Sequence, residues 1–147
     1  MVRVAAGVPM LRDLIPHLQL KRRAADMNAR ARQFGVLGTL HPLVLAELFL
    51  KSGGVCAWCG AILDDAVIVE FDHVTPFRLR GDNTRDNLCV ACADCNRRKA
   101  DKHPARFAQE QAARGIRTPL VTQMLERHSL DAATQGRLAL DDDEPAS

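Results

Sequence analysis

The stretch EFDHVTPF, residues 70–77, ends an apolar run on an adjacent carboxylate and imidazole, Asp72 and His73, four residues before Phe77. Two carboxamides follow at a distance, Asn87 and Asn96. Such groups can hydrolyse a phosphodiester. A carboxylate is a hard oxygen ligand for Mg²⁺, and a carboxamide adds a second oxygen without adding charge. An imidazole that titrates near neutrality can take a proton from the attacking water.

Four of the five cysteines bracket this region as two pairs, Cys56-x-x-Cys59 and Cys92-x-x-Cys95, with 32 residues between them. Each CxxC turn places two thiolates within reach of one ion. Two turns complete the four-sulfur tetrahedron that Zn²⁺ prefers, a closed and therefore structural site. Disulfides or redox pairs are the competing use of such spacing, and a reducing compartment favours the metal. Cys89 stands outside both pairs and is expected to be a small buried apolar residue on a strand.

These residues need elements to aim them. Val and Ile in AVIVEF, residues 66–71, predict a strand that delivers Asp72 and His73. RGDNTRDN, residues 80–87, reads as a turn-rich loop and LCVA, residues 88–91, as a second strand. DCNRRKADK, residues 94–102, reads as a helix that carries Asn96. Upstream, Leu11, Leu14, Ile15 and Leu18 predict a helical stretch over 9–34, with Pro16 kinking it or starting a fresh helix. Thr39 is the expected N-cap of a helix over 41–51. Downstream, helices are expected over 104–114 and 118–128, then a disordered acidic tail.

The order of these motifs resembles the HNH endonucleases. The matching residues are Cys56 and Cys59, Asp72-His73-Val74-Thr75-Pro76, Asn87-Leu88, and Cys92 through Asn96 to Lys99. Asn96 stands where many members of that family have His. The resemblance implies an α+β fold, a small ββα-metal finger stapled by a four-cysteine zinc site and flanked by N- and C-terminal helices. It covers residues 39–102, the expected nuclease domain; around it the residues themselves predict a basic helical extension over 1–38, a helical extension over 103–139 and an acidic tail over 140–147. It also implies roles: His73 as general base, Asp72 and Asn96 as ligands of a catalytic Mg²⁺, and Asn87 as a loop brace that orients His73 by a backbone hydrogen bond. Cys56, Cys59, Cys92 and Cys95 would hold the structural Zn²⁺. The expected reaction is hydrolysis of DNA to 5′-phosphate and 3′-hydroxyl ends.

The chain has 147 residues and a net charge of only +2, but the charge is uneven. Residues 1–35 carry +5, 36–74 carry −4, 75–106 carry +4 and 107–147 carry −3, which sum to +2. Two basic zones in a nearly neutral chain suit a polyanion such as duplex DNA. Arg78, Arg80, Arg97, Arg98 and Lys99 lie nearest the motif and are the expected phosphate contacts. No apolar run reaches the roughly 20 residues that cross a bilayer, and the N-terminus lacks a signal-peptide pattern, so a cytoplasmic, non-membrane protein is expected. A homodimer, a phage packaging partner and a restriction partner are all compatible with the motifs. The competing reading is a zinc-ribbon module that binds nucleic acid without cutting it. A redox protein built on the CxxC pairs is a third.

Overall fold

The computed structural model describes residues 11–142, with side chains described through Leu130. Among the described residues a two-stranded antiparallel sheet sits amid six helices. The order is α1 (Leu11–Leu14), α2 (Leu20–Phe34), α3 (Pro42–Lys51), β1 (Val69–His73), β2 (Leu88–Cys92), α4 (Ala93–Lys99), α5 (Pro104–Ala113) and α6 (Pro119–Asp142). The β1–β2–α4 unit is the expected ββα finger, within an α+β chain. No helix among the described residues is long and apolar enough to cross a membrane.

Local chemistry explains most boundaries. Pro16 lies in a 3-10 turn, Ile15–His17, that separates α1 from α2; proline at the first positions of a turn forfeits no needed N–H. Gly35 ends α2 with a φ of 65°, the left-handed conformation usual after a helix. The expected cap of α3, Thr39, is displaced by His41, whose Nδ1 accepts from the Leu43 amide at 3.1 Å. Pro42 fixes the first helical position, which moves the cap to the residue just before it. The first strand begins three residues later than AVIVEF suggests, because Asp65 accepts from the Val67 amide and winds Ala66–Ile68 into a 3-10 turn. The gain at the other end is what matters: β1 runs through Asp72 and His73, so both are strand residues.

The register pairs Asp72 with Cys89 and His73 with Leu88. Residues 74–87 connect the strands as a folded loop with 3-10 turns at Phe77–Leu79 and Arg85–Asn87. Gly81 is required there, since a Cβ would collide with the Thr75 carbonyl oxygen. The chain enters α4 directly from β2. Cys92 caps that helix, its Sγ accepting from the Cys95 amide at 3.3 Å.

One hydrophobic core holds these pieces. Trp58, Phe49, Phe107, Leu18, Leu45, Leu63, Val69 and Val121 are fully buried in it. Trp58 meets Phe107 of α5 edge-on, with ring centroids 5.2 Å apart. Elements on both sides of the finger therefore share its core: Leu18 comes from the α1–α2 connection and Val121 from α6. Arg23 of α2 donates to the Val69 carbonyl of β1 at 2.6 Å. α6 runs through Asp142, beyond the expected end at 128, and the rest of the expected acidic tail, 143–147, lies outside the described residues.

Candidate metal centre and active site

Two polar centres meet on the finger. The first is sulfur. The Sγ atoms of Cys56, Cys59, Cys92 and Cys95 all lie within 4.8 Å of one another, and those of Cys59 and Cys92 are 3.9 Å apart. A Zn–S length of about 2.3 Å requires a tetrahedral edge of about 3.8 Å, so the four sulfurs fit Zn²⁺. The crowded thiols cannot ionise independently. A hydrogen bond from the Cys95 thiol holds Cys56 down to about 5, whereas burial pushes Cys59 up to about 11. The neighbouring Cys56 sulfur pushes Cys95 up as well. A bound dication removes that conflict, because all four sulfurs can then be thiolates together.

Donors surround the sulfurs. The Ala61 amide points to Cys59 Sγ at 3.4 Å, and Gln111 Nε2 points to Cys95 Sγ at 3.8 Å. Gln111 is a fully buried residue of α5 that also donates to the Trp58 carbonyl at 2.9 Å. Such outer contacts orient the ligands of a metal site. The sequence offered no signal for Gln111, which lies 16 residues past the last cysteine in an ordinary helical segment.

The second centre lies around a cavity of about 220 Å³, lined by Arg30, Phe71, Asp72, His73, Pro76, Phe77, Asn96, Ala100 and Asp101. Asp72, His73 and Asn96 thus share one polar hollow. β1 supplies the first two and α4 the third. The Asn96 carboxamide is half-buried and, among the described residues, is tied to no protein group by a hydrogen bond. The Asp72 carboxylate is buried and well supplied. Its Oδ2 accepts from Trp58 Nε1 at 2.9 Å and lies 3.2 Å from Lys99 Nζ, and Cys89 Sγ donates to it at 3.8 Å. Burial pushes the Asp72 carboxyl above its ordinary value, and the Lys99 ammonium and the indole N–H pull the other way. A carboxylate oxygen and a carboxamide oxygen on one hollow are the donor set of a hard divalent cation.

His73 is nearly buried. Its Nε2 lies 2.9 Å from Asn83 Oδ1, and its ring packs on Phe77 with centroids 4.2 Å apart. Burial lowers its pKa below the ordinary value, and the Arg30 and Lys99 charges lower it further, while the Asn83 bond opposes them. The neutral ring, the form able to accept a proton, is therefore favoured.

Asn87 ties the loop backbone together. Its Oδ1 accepts from the Thr75 amide at 2.8 Å, and its Nδ2 donates to the carbonyls of Thr75 and Asp82 at 2.9 and 2.8 Å. Its own carbonyl, however, accepts from the Val74 amide and not from His73. The imidazole's partner is instead Asn83, whose Oδ1 accepts from the ring; in the sequence Asn83 is one polar residue in a turn.

The expected phosphate contacts divide. Lys99 is a correction: it is fully buried and its Nζ is spent on Asp72 and on the His73 carbonyl at 2.9 Å. On a seven-residue helix, position 99 faces inward with Cys95, four residues earlier, and that periodicity overrides its charge. Arg98 leans inward onto Gln111 Oε1 at 2.9 Å and over the Phe107 ring. Arg80 donates to the Phe34 and Gly35 carbonyls at the end of α2. Arg97 and Arg78 remain exposed, paired with Asp94 at 3.4 Å and Asp101 at 3.2 Å. Arg30, by contrast, forms no ion pair among the described residues, lies 5.6 Å over the Phe77 ring and lines the cavity beside His73. It stands 42 residues before Asp72, so nothing local in the sequence links it to the site.

Residues 56–112 match the family model of the HNH endonucleases. That segment holds both knuckles, both strands, α4 and most of α5. The resemblance read from the motifs is therefore shown over this segment. Among solved structures, the Type II-C Cas9 enzyme from Actinomyces naeslundii is similar at 24% identity and a TM-score of 0.41, over 78% of this chain and 16% of that one. This chain thus spans about a sixth of that protein's length. No curated protein matches the chain.

Proposed function

We propose that this protein is a divalent-metal-dependent endonuclease that hydrolyses phosphodiester bonds of DNA. The reading is carried by one juxtaposition: Asp72, His73 and Asn96 line a single polar hollow inside the segment that matches the HNH endonucleases. Asp72 and Asn96 would hold the cation, most simply Mg²⁺, which when bound would stabilise the charge that develops on the phosphate.

The chain's own groups supply the rest. Neutral His73 takes a proton from a water as the water oxygen bonds to phosphorus, and the bond from phosphorus to the 3′ oxygen breaks. The leaving oxygen takes a proton from solvent, which leaves a 3′-hydroxyl and a 5′-phosphate. Burial lowers the His73 pKa and so favours the neutral ring that can accept that proton. Arg30, Arg78 and Arg97 offer cations to the flanking phosphates, a contact that positions the strand without reading its sequence. The four cysteines would hold Zn²⁺ as a scaffold, apart from the chemistry. Residues 39–102 would form the nuclease domain, with α2 and the C-terminal helices as extensions.

One observation favours a non-catalytic, zinc-ribbon nucleic-acid module as the second reading. Asp72 already has three donors, from Trp58, Lys99 and Cys89, and is satisfied without a metal.

Plasmid nicking separates the two. Zinc-replete protein is assayed with Mg²⁺ added or omitted, beside His73→Ala. Mg²⁺-dependent cutting that the variant loses supports the enzyme; DNA binding without cutting under all conditions supports the module.

A further inference from the structure

His73 Nε2 faces an oxygen, Asn83 Oδ1, at 2.9 Å. Which atom of the Asn83 amide faces the ring is decided elsewhere. Asn83 Nδ2 donates to Asn28 Oδ1 at 2.8 Å and to the Gly38 carbonyl at 3.2 Å. Two acceptors on one side hold the NH₂ group there and leave the oxygen towards the imidazole. Asn28 is fixed in turn. Its Oδ1 accepts from the Leu40 amide at 2.8 Å, and its Nδ2 donates to the Leu40 carbonyl at 3.0 Å. Every donor and acceptor in this relay thus has one consistent assignment, anchored on backbone at Leu40 and Gly38.

The relay has a chemical consequence. A carboxamide oxygen only accepts, so Nε2 must carry the proton in the neutral ring, and Nδ1 is left with the lone pair. Asn83 is fully buried, and no water is needed to close the network. The Asn83 backbone is held too: its amide donates to the Leu37 carbonyl at 2.7 Å. Gly38 at φ 111° lets the chain pass close to it, since a Cβ at that position would collide with the Asn83 carbonyl. The 36–40 segment and α2 therefore grip Asn83 from both sides.

We propose that Asn28 and Asn83 are positioning residues that fix the tautomer of His73, so that helix α2, which lies outside the matched segment 56–112, is a working part of the nuclease site. The proposal rests on His73 acting as general base. The relay makes Nδ1 the atom that accepts the proton from water and keeps Nε2 from doing so. Neither asparagine touches substrate.

The test reads the ring directly. Nitrogen-15 NMR of zinc-replete protein, in buffer where the ring is neutral, reports which His73 nitrogen bears the proton. The wild type is expected as the Nε2–H form. Asn28→Ala is expected to give a mixture of tautomers, with zinc content and circular dichroism unchanged. Its maximal cleavage rate falls by about 10- to 100-fold with little change in KM. Asn28→Asp keeps acceptors for the Leu40 amide and Asn83 Nδ2, and should restore both the tautomer and most of the rate. A wild-type ring protonated on Nδ1 overturns the proposal even if no variant folds. So does an Asn28→Ala protein whose tautomer and rate match the wild type. If His73→Ala cuts as well as the wild type, the nuclease reading fails instead, while the tautomer measurement still reports on the relay.

Discussion

Trp58 Nε1 lies 2.9 Å from Asp72 Oδ2. Trp58 is one of the two residues between the cysteines of the first knuckle, and Asp72 is the carboxylate at the candidate active site. One fully buried side chain therefore joins the sulfur centre to the hollow that Asp72 lines. The indole N–H holds one carboxylate oxygen, from a residue that lies within the cysteine knuckle.

Trp58→Phe removes that hydrogen bond while keeping most of the packing against Phe107. A buried acceptor that loses a donor costs about 1–3 kcal/mol. The expected variant folds, binds zinc in full, unfolds at lower denaturant by that amount and cuts DNA more slowly. Denaturant titration and nicking rates check it; unchanged values in both would break the link between the centres.

Lys99 and Arg97 are two residues apart on α4 but should fail in different ways. Lys99→Ala strands the Asp72 carboxylate in the core, and removing one partner of such a pair costs about 3–5 kcal/mol. Arg97→Ala, on the exposed face, should change stability by no more than about 0.5 kcal/mol. It should instead weaken DNA binding and flatten its salt dependence. Denaturation curves beside binding isotherms at several salt concentrations separate the two, and a fully stable Lys99→Ala contradicts the buried pair.

Zinc removal should unfold the finger. Structural zinc contributes on the order of 10 kcal/mol of apparent folding free energy, and here the core rests directly on the knuckles through Trp58, Cys56 and Cys95. Thiol titration of native protein is expected to stay slow at these four cysteines until a zinc chelator is added, with loss of helical circular dichroism in step. Fast titration with the fold intact would favour free thiols. Cys92→Ser should show the same loss, because it removes a ligand and weakens the cap on the Cys95 amide.

Arg30→Ala tests whether α2 reaches the substrate. Lys21→Ala on the same helix lies outside the hollow and serves as the control. Arg30→Ala is expected to raise the apparent Kd for DNA several-fold and to reduce the salt slope by about one unit, with stability nearly unchanged. Equal effects of the two substitutions would reduce Arg30 to general surface charge.

The site motifs were legible because short-range chemistry writes them. A CxxC turn brings two sulfurs together by local geometry alone, and a β-branched run delivers whatever residues end it. Asp72, His73 and Asn96 follow from those rules, as do both cysteine pairs. Cys89 was placed correctly on β2 but read as merely apolar, because its contact with Asp72 depends on strand register. Arg80 and Lys99 were read by charge, whereas one is committed to the end of α2 and the other to the core.

By itself the sequence determined the four sulfurs, the two strands, the helix behind them and the residue types that could cut a phosphodiester. Only the tertiary structure decided that Asn83 and not Asn87 bonds to His73, that Lys99 neutralises Asp72, and that Asn28 and Arg30 of α2 stand at the site. The physical reason is distance along the chain. Asn28 and Asn83 are 55 residues apart, and their hydrogen bond exists only once a shared core has brought α2 against the loop between the strands.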